Sequence, residues 1–282
     1  MTATRSTGDG QGPSDQYVQS LVRGLNVIRA FDEDHPEMTL SEIAAATSLT
    51  RATARRFLST LVEVGYMKSH GRWYSLTPRV LELGFSYLSS LSLPEVAQPY
   101  LERLSQEIDE SSSVSVLDGS DIVYVARATI RRRIMSVTIN IGTRLPAHLT
   151  AMGRVLLAAQ APEDLSDYLR TLPSDAPTER AITDPAALRT ELDLVREQGF
   201  SLIDQEVQEG LRSIAVPVFG RRQHSVSRNS DTPPRTVIAA VNVSTSASSL
   251  SRADIVDRFL DPLRRTSAAI ADDLEETRRG RG

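Results

Sequence analysis

The sequence predicts an α+β protein of two domains, a small helical one carrying a β-hairpin and a larger one built on a mostly antiparallel sheet. Three observations predict it. The 282 residues favour two hydrophobic cores over one. Apolar residues recur at three- and four-residue spacing from Val18 to Val62 before any strand pattern begins. Beyond Pro94, apolar strands gather around hairpin turns with helices among them.

The elements follow in order. Residues 1–16, MTATRSTGDGQGPSDQ, hold little apolar material and read as a disordered tail. Residues 17–77 form the first domain. Leu21, Val22, Leu25, Val27, Ile28 and Phe31 mark a first helix, which DEDHPE breaks. Thr39 with Glu42 three residues on is a capping box, opening a short second helix through Ile43 and Ala44. Thr50 caps a third whose core face is Ala54, Phe57, Leu58, Leu61 and Val62, and Gly65 closes it. MKSHGRWYSLT then reads as a hairpin with His70, Gly71 and Arg72 at its tip. Three helices, a short turn between the second and third, and a hairpin wing describe a winged helix-turn-helix.

Pro78 begins a linker helix spanning 78–93. Residues 94–276 form the second domain. PEVAQPYLERLSQEIDESS is an amphipathic helix, and SVSVLDGSDIVYVARA is two strands about Asp118 and Gly119. IMSVTINIGTRLP continues with strand-like alternation, and AHLTAMGRVLLAAQ turns helical. A helix around DPAALRTELDLVREQGF precedes two apolar strands, SIAVPVF and RTVIAAVNVS, with RRQHSVSRNSDTPP between them as a mobile loop. A last helix runs from Ser251 to about Glu276, leaving 277–282 as a tail.

Composition removes several chemistries. There is no cysteine, hence no disulfide, thiol nucleophile or cysteine zinc site. The four histidines lie apart without metal-ligand spacing, and neither a P-loop nor G-x-S-x-G occurs, so no metal, cofactor or catalytic residue is expected. Asp204, Glu206 and Glu209 read as a solvated acidic turn rather than an acid/base pair. The start lacks the apolar core of a signal peptide, and no run approaches the ~20 apolar residues of a spanning helix. A soluble cytoplasmic protein with no membrane partner is expected.

Charge carries the strongest functional signal. The chain's net charge is −4, yet residues 50–79 hold Arg51, Arg55, Arg56, Lys68, Arg72 and Arg79 against Glu63 alone. On a helix starting after Thr50, with Arg51 in its first turn, Ala52, Arg56 and Ser59 point away from the core and Thr53, Arg55 and Thr60 flank them. Arginine pairs bidentately with guanine, and small residues let the backbone approach a major groove. Thr39 and Ser41 at the start of the second helix, with Lys68, His70 and Arg72 in the wing, suit phosphate contacts. A basic face alone is usually just solvated; here helix order, capping box, wing and charge segregation agree on a double-stranded DNA partner.

QSLVRGLNVIRAF, LSEIAAATSLTRATARRFLSTLVEVGY and the wing through YSLTPRVLELG resemble the winged helix-turn-helix of the IclR-type bacterial transcriptional regulators. GTRLPAHLTAMGRVLLA is similar to that family's effector-domain signature, with Arg154 where members often carry lysine, and GFSLIDQEVQEGLRSIAVPVF with TVIAAVNVS to its closing strands. YVARATIRRRIMSVTINIGTRLPAH most resembles the Pca- and Pob-type regulators of β-ketoadipate and aromatic-acid degradation. The resemblance implies a GAF-like effector domain, a small carboxylic-acid effector, homodimers or homotetramers, and RNA polymerase as a further candidate partner. It places Val137, Ile139, Ala151, Met152, Leu211, Ser213, Asn242 and Ser244 around the effector. Asn242 and Ser244 also alternate onto one face of an apolar strand, where buried polar groups need partners. A buried carboxylate needs a cation or donor, for which Arg127, Arg144, His148 and Arg212 are candidates, with Arg131, Arg132 and Arg133 as a solvated alternative. A regulator answering an unrelated metabolite and a DNA-binding protein without a ligand are the alternatives.

Overall fold

The computed structural model describes residues 18–280 apart from 33, 85–91, 131–138 and 221–235. The expected tail 1–16, residues 85–91 of the linker helix, Val137, Arg131 to Arg133 and the expected loop over 221–234 therefore lie outside the described residues. The chain divides into two compact units, one ending at Tyr87 and one beginning at Leu88.

In the first unit, helices α1 (Gln19–Arg29), α2 (Leu40–Ala46) and α3 (Arg51–Glu63) pack around Val27, Ile43, Leu58, Met38 and Met67. The capping box forms: Glu42 N–H donates to Thr39 Oγ1 at 3.4 Å, and Thr39 N–H donates to the Glu42 carboxylate at 2.7 Å. The Thr39 N–H bond first, then a bond donated by the Thr39 hydroxyl, hold the Glu42 carboxyl below its ordinary range. Thr50 caps α3 by accepting from Thr53 N–H at 3.2 Å. A two-residue strand β1 (Met38–Thr39), too short to signal itself in sequence, joins β2 (Met67–His70) and β3 (Trp73–Leu76) in the order β1-β3-β2.

Residues after the wing finish α3. Thr77 Oγ1 donates to Gly65 O at 2.6 Å and Arg79 Nη1 to Val64 O at 3.0 Å, while the Arg79 guanidinium lies over the Tyr66 ring. Gly65 has φ +83, the left-handed stop that the sequence assigned it. Pro78–Val80 is a 3-10 turn rather than the first turn of an α-helix.

In the second unit six antiparallel strands lie in the order β6-β5-β4-β9-β8-β7. They are β4 (Ser111–Asp118), β5 (Asp121–Ala128), β6 (Arg144–Pro146), β7 (Ser201–Asp204), β8 (Leu211–Gly220) and β9 (Thr236–Ser246). Helices α4 (Ser92–Ile108) and α8 (Arg252–Gly280) cover one face through Leu101, Leu104, Ile255, Phe259 and Leu263. Helices α5 (Ala151–Ala158), α6 (Pro162–Arg170) and α7 (Pro185–Gln198) cover the other through Met152, Leu156, Leu165, Leu188 and Leu192. With helices on both faces, β8 and β9 carry near-continuous apolar runs: Ile214, Val216 and Val218 enter the first core, Ala215 the second.

Four boundaries differ from expectation. Helix α6 was not anticipated, although Pro162 at its first position, Glu163 and Asp164 in its first turn and Arg170 in its last were all readable. Of the strand expected over 134–146, residues 134–138 lie outside the described residues; among the rest Arg144–Pro146 is a strand and Asn140 to Thr143 form a turn with Gly142 at φ +90. Strand β7 was not read as a strand because four residues carry too little alternation. Helix α8 continues to Gly280, into the expected tail.

One glycine fixes how α5 meets the 3-10 turn Ala147–Leu149 that precedes it. A Cβ on Gly153 would stand 2.0 Å from Ala147 O, in backbone that cannot swing aside. Gly153→Ala is expected to cost about 3 kcal/mol of stability, read as a fall in urea midpoint; an unchanged midpoint would refute this close packing.

Candidate functional sites

The exposed face of α3 expected to read DNA emerges from the burial pattern. Ala54 and Leu58 are fully buried, while Arg51, Ala52, Arg55, Arg56 and Ser59 are exposed. Lys68 and Arg72 are exposed on the wing, Arg72 lying 5.2 Å over the Trp73 ring, and Ser41 is exposed at the start of α2. Two proposed contacts are engaged elsewhere. Thr39 Oγ1 donates to the Glu42 carboxylate at 2.8 Å, so its proton serves the cap rather than a phosphate. The Thr50 and Thr53 hydroxyls pair with each other at 2.9 Å.

In the second unit, Ile139, Ala151, Met152, Leu211, Ser213, Asn242 and Ser244 converge on one cavity. Val137 is outside the described residues. Tyr124, Leu145, Thr150, Ile203 and Val207 complete the wall and were missed by sequence reasoning. Tyr124 and Ile203 were within reach of it, since strand alternation puts them on the same side of the sheet. The cavity measures about 20 Å³, room for roughly one water.

Its floor is a polar cluster. Asn242 Nδ2 donates to Ser213 Oγ at 2.8 Å and to Ser244 Oγ at 3.0 Å, and Ser213 Oγ donates to Val243 O at 3.1 Å. Turning the amide over would set its oxygen against a Ser213 hydroxyl whose proton is already given to Val243 O. Asn242 Oδ1 is thus a buried acceptor with no partner among the described residues. Opposite it, α5 begins. Thr150 Oγ1 accepts from Gly153 N–H at 2.9 Å and Thr150 O from Arg154 N–H, which leaves the N–H groups of Ala151 and Met152 without an acceptor among the described residues.

The four carboxylate-binding candidates separate. Arg144 is exposed and paired with Asp118 and Asp121, which raise its pKa, Asp118 most. Arg212 stands on the opposite face of β8 from Leu211 and Ser213, its Nε donating to Asp204 at 2.6 Å and its Nη1 to Leu250 O at 2.6 Å. His148 is buried against Tyr168, whose hydroxyl lies 3.0 Å from Nδ1; burial, then the nearby Arg154 charge, pulls its pKa down to about 4. None of these three lines the cavity. They correct the sequence reading because each already has a structural partner or faces elsewhere.

Arg127 remains. A bulge between Val114 and Ser115 shifts the alternation of β5, so Ala126 and Ala128 enter the first core and Arg127 faces the Tyr124 side. It lies in register with Ser113 of β4, which pairs in turn with Asn242 of β9. Its guanidinium meets Thr129 Oγ1 at 3.0 Å and no carboxylate among the described residues, and burial lowers its pKa.

A second correction concerns the acidic turn. Glu206 is buried, both its oxygens held by Arg154, and Asp204 binds Arg212 and Arg180; only Glu209 is exposed. Burial raises the Glu206 pKa against the pull of Arg154.

Comparison with known proteins places this architecture. Residues 20–70 match the IclR helix-turn-helix domain, and residues 85–272 match the C-terminal domain of the bacterial transcriptional regulator IclR. The chain belongs to the IclR family. It is 43% identical over 244 residues to the Pca regulon regulatory protein of Pseudomonas putida, covering 86% of this chain and 80% of that one. It is 32% identical to the p-hydroxybenzoate hydroxylase transcriptional activator of Acinetobacter baylyi, covering 90% and 91%. Among solved structures, an IclR homologue from Microbacterium hydrocarbonoxydans complexed with 4-hydroxybenzoate superposes with a TM-score of 0.76 at 26% identity, covering 92% of this chain and 100% of that one. This IclR-family chain is a DNA-binding transcriptional regulator related to the Pca and Pob regulators. No helix among its described residues is long and apolar enough to cross a membrane.

Proposed function

We propose that this regulator reads a two-fold symmetric operator with paired α3 helices and is controlled by a small hydroxylated or keto carboxylic acid of aromatic catabolism bound in the second unit's cavity. The observation that carries the effector reading is the arrangement of unsatisfied groups there. Two residues whose N–H groups lie at the positive end of α5, Ala151 and Met152, line the same cavity as Asn242, whose buried Oδ1 has no partner among the described residues. Helix N-terminal N–H groups favour an anion, and a lone acceptor favours a hydroxyl. An acid bearing a hydroxyl satisfies both; Arg127, which does not line the cavity, lies on that side of the sheet and meets no carboxylate among the described residues. The relatives named for Pca and p-hydroxybenzoate regulation, and the 4-hydroxybenzoate complex, point to the same ligand class.

Dimerisation through the first unit is supported by α1, where Val18, Leu21 and Leu25 form an apolar stripe 58%, 62% and 44% exposed. A homodimer covering that stripe, or a tetramer of two such dimers, presents two recognition helices to successive major grooves. RNA polymerase contact follows only from the regulatory role.

On DNA, Arg56→Ala is expected to weaken specific binding by about 1–3 kcal/mol and relax sequence preference. Arg72→Ala should instead reduce the salt slope by about one. Fluorescence anisotropy across a salt series separates them, and an Arg56→Ala protein that binds as tightly as the parent overturns the groove assignment. For the effector, calorimetric titration with 4-hydroxybenzoate, protocatechuate and β-ketoadipate should find a ligand whose affinity drops about tenfold in Asn242→Ala. Equal affinity for parent and variant would remove the cavity from the ligand site.

A further inference from the structure

Arg154 is a buried charged side chain that does not line the cavity. It is 1% exposed and stands on α5 two residues after Met152. Its Nε donates to His148 O at 2.9 Å, at the turn that leads into α5. Its two terminal nitrogens grip both oxygens of Glu206, Nη1 at 2.9 Å. Glu206 immediately precedes Val207, and the turn it begins ends at Leu211, both cavity residues. A third group stands by: Glu191 on α7, its Oε1 3.6 Å from Arg154 Nη1, near enough for attraction but longer than a hydrogen bond.

A cavity of about 20 Å³ admits an acid only if a wall moves. The sheet floor is pinned by its ladder and α5 by Gly153. The 205–211 turn is held from within by Gln205 N–H to Leu211 O at 2.8 Å and Leu211 N–H to Gln208 O at 3.2 Å. From without it is held by Arg154, by Ile182 N–H on Glu206 Oε2 at 3.4 Å, and by Thr178 Oγ1 on Glu206 O at 3.1 Å. Freeing Glu206 would strand a buried guanidinium, which is unfavourable unless another carboxylate takes it. Glu191 is in position to do so, and its charge also repels Glu206 while the turn is closed.

We propose that Arg154 is the latch of the effector cavity: the turn opens when Arg154 exchanges Glu206 for Glu191, and the ligand selects that open arrangement. Arg154, Glu191 and Glu206 are positioning residues that touch no ligand. The proposal rests on the cavity being the effector site for its ligand arm, but not for its opening arm.

The test is hydrogen exchange of the full chain over residues 205–211, with titration of 4-hydroxybenzoate, protocatechuate and β-ketoadipate alongside. Glu191→Gln removes the standby carboxylate and the repulsion together, so exchange there should slow about tenfold and acid binding weaken by a similar factor. Glu206→Gln should do the reverse, and Arg154→Lys, which keeps the charge, should stay near the parent in exchange. A merely structural pair predicts that Glu191→Gln leaves exchange unchanged or faster, and that result overturns the latch. If Glu206→Gln does not fold, Glu191→Gln still decides, because slowing is a direction that simple loss of an ion pair does not give. If the parent binds none of the acids, the effector reading fails while the exchange arm still judges the latch.

Discussion

A guanidinium taken out of water must be given oxygens, and Arg154 collects them from segments far apart in sequence. His148 O comes from the turn before α5 and Glu206 from the turn after β7, with the Glu191 carboxylate of α7 at ion-pair distance. Helices α5 and α7 and the turn after β7 are therefore arranged about one charge. Breaking such a pair typically costs about 3–5 kcal/mol, because the remaining charge stays buried. Gly153, one residue earlier, brings α5 against Ala147, and the same eight-residue helix presents its free N–H groups to the cavity.

The first unit uses electrostatics in the opposite sense, keeping its charges in water. Every arginine of α3 is exposed, and both ends of the helix are capped. Thr50 caps its start, and Thr77 and Arg79 close its end from beyond the wing. Arg79 belongs to the basic cluster in sequence but acts as a C-terminal cap, so the counted charge exceeds the charge available to a duplex. Thr77 and Arg79, just beyond the wing, thereby tie it to the end of α3 at Gly65, where the chain turns left-handed.

Legibility followed the range of the interaction. The capping box, the core face of α3 and the stop at Gly65 are local, and the sequence showed them. Asn242 and Ser244 were visible because strand alternation places them on one face whatever lies above, and Ser213 came with the family resemblance. The arginines were not separable: Arg127, Arg144 and Arg212 look alike until the bulge at Val114 and Ser115 turns the first and Asp204 takes the last. Glu206 looked solvated because its partner lies 52 residues away. Helix α6 was overlooked despite good terminal signals, since Leu165 and Leu169 are its only buried apolar residues.

The central claim is that an acid bound by the second unit alters what the first unit does on DNA, which requires different affinities of that acid for two states of the protein. Fluorescence anisotropy of labelled DNA from upstream of the protein's own gene, against a scrambled duplex and with 4-hydroxybenzoate, protocatechuate and β-ketoadipate added separately, measures this directly. The account predicts specific binding whose midpoint moves with one of these acids. Specific binding that none of them shifts would contradict it.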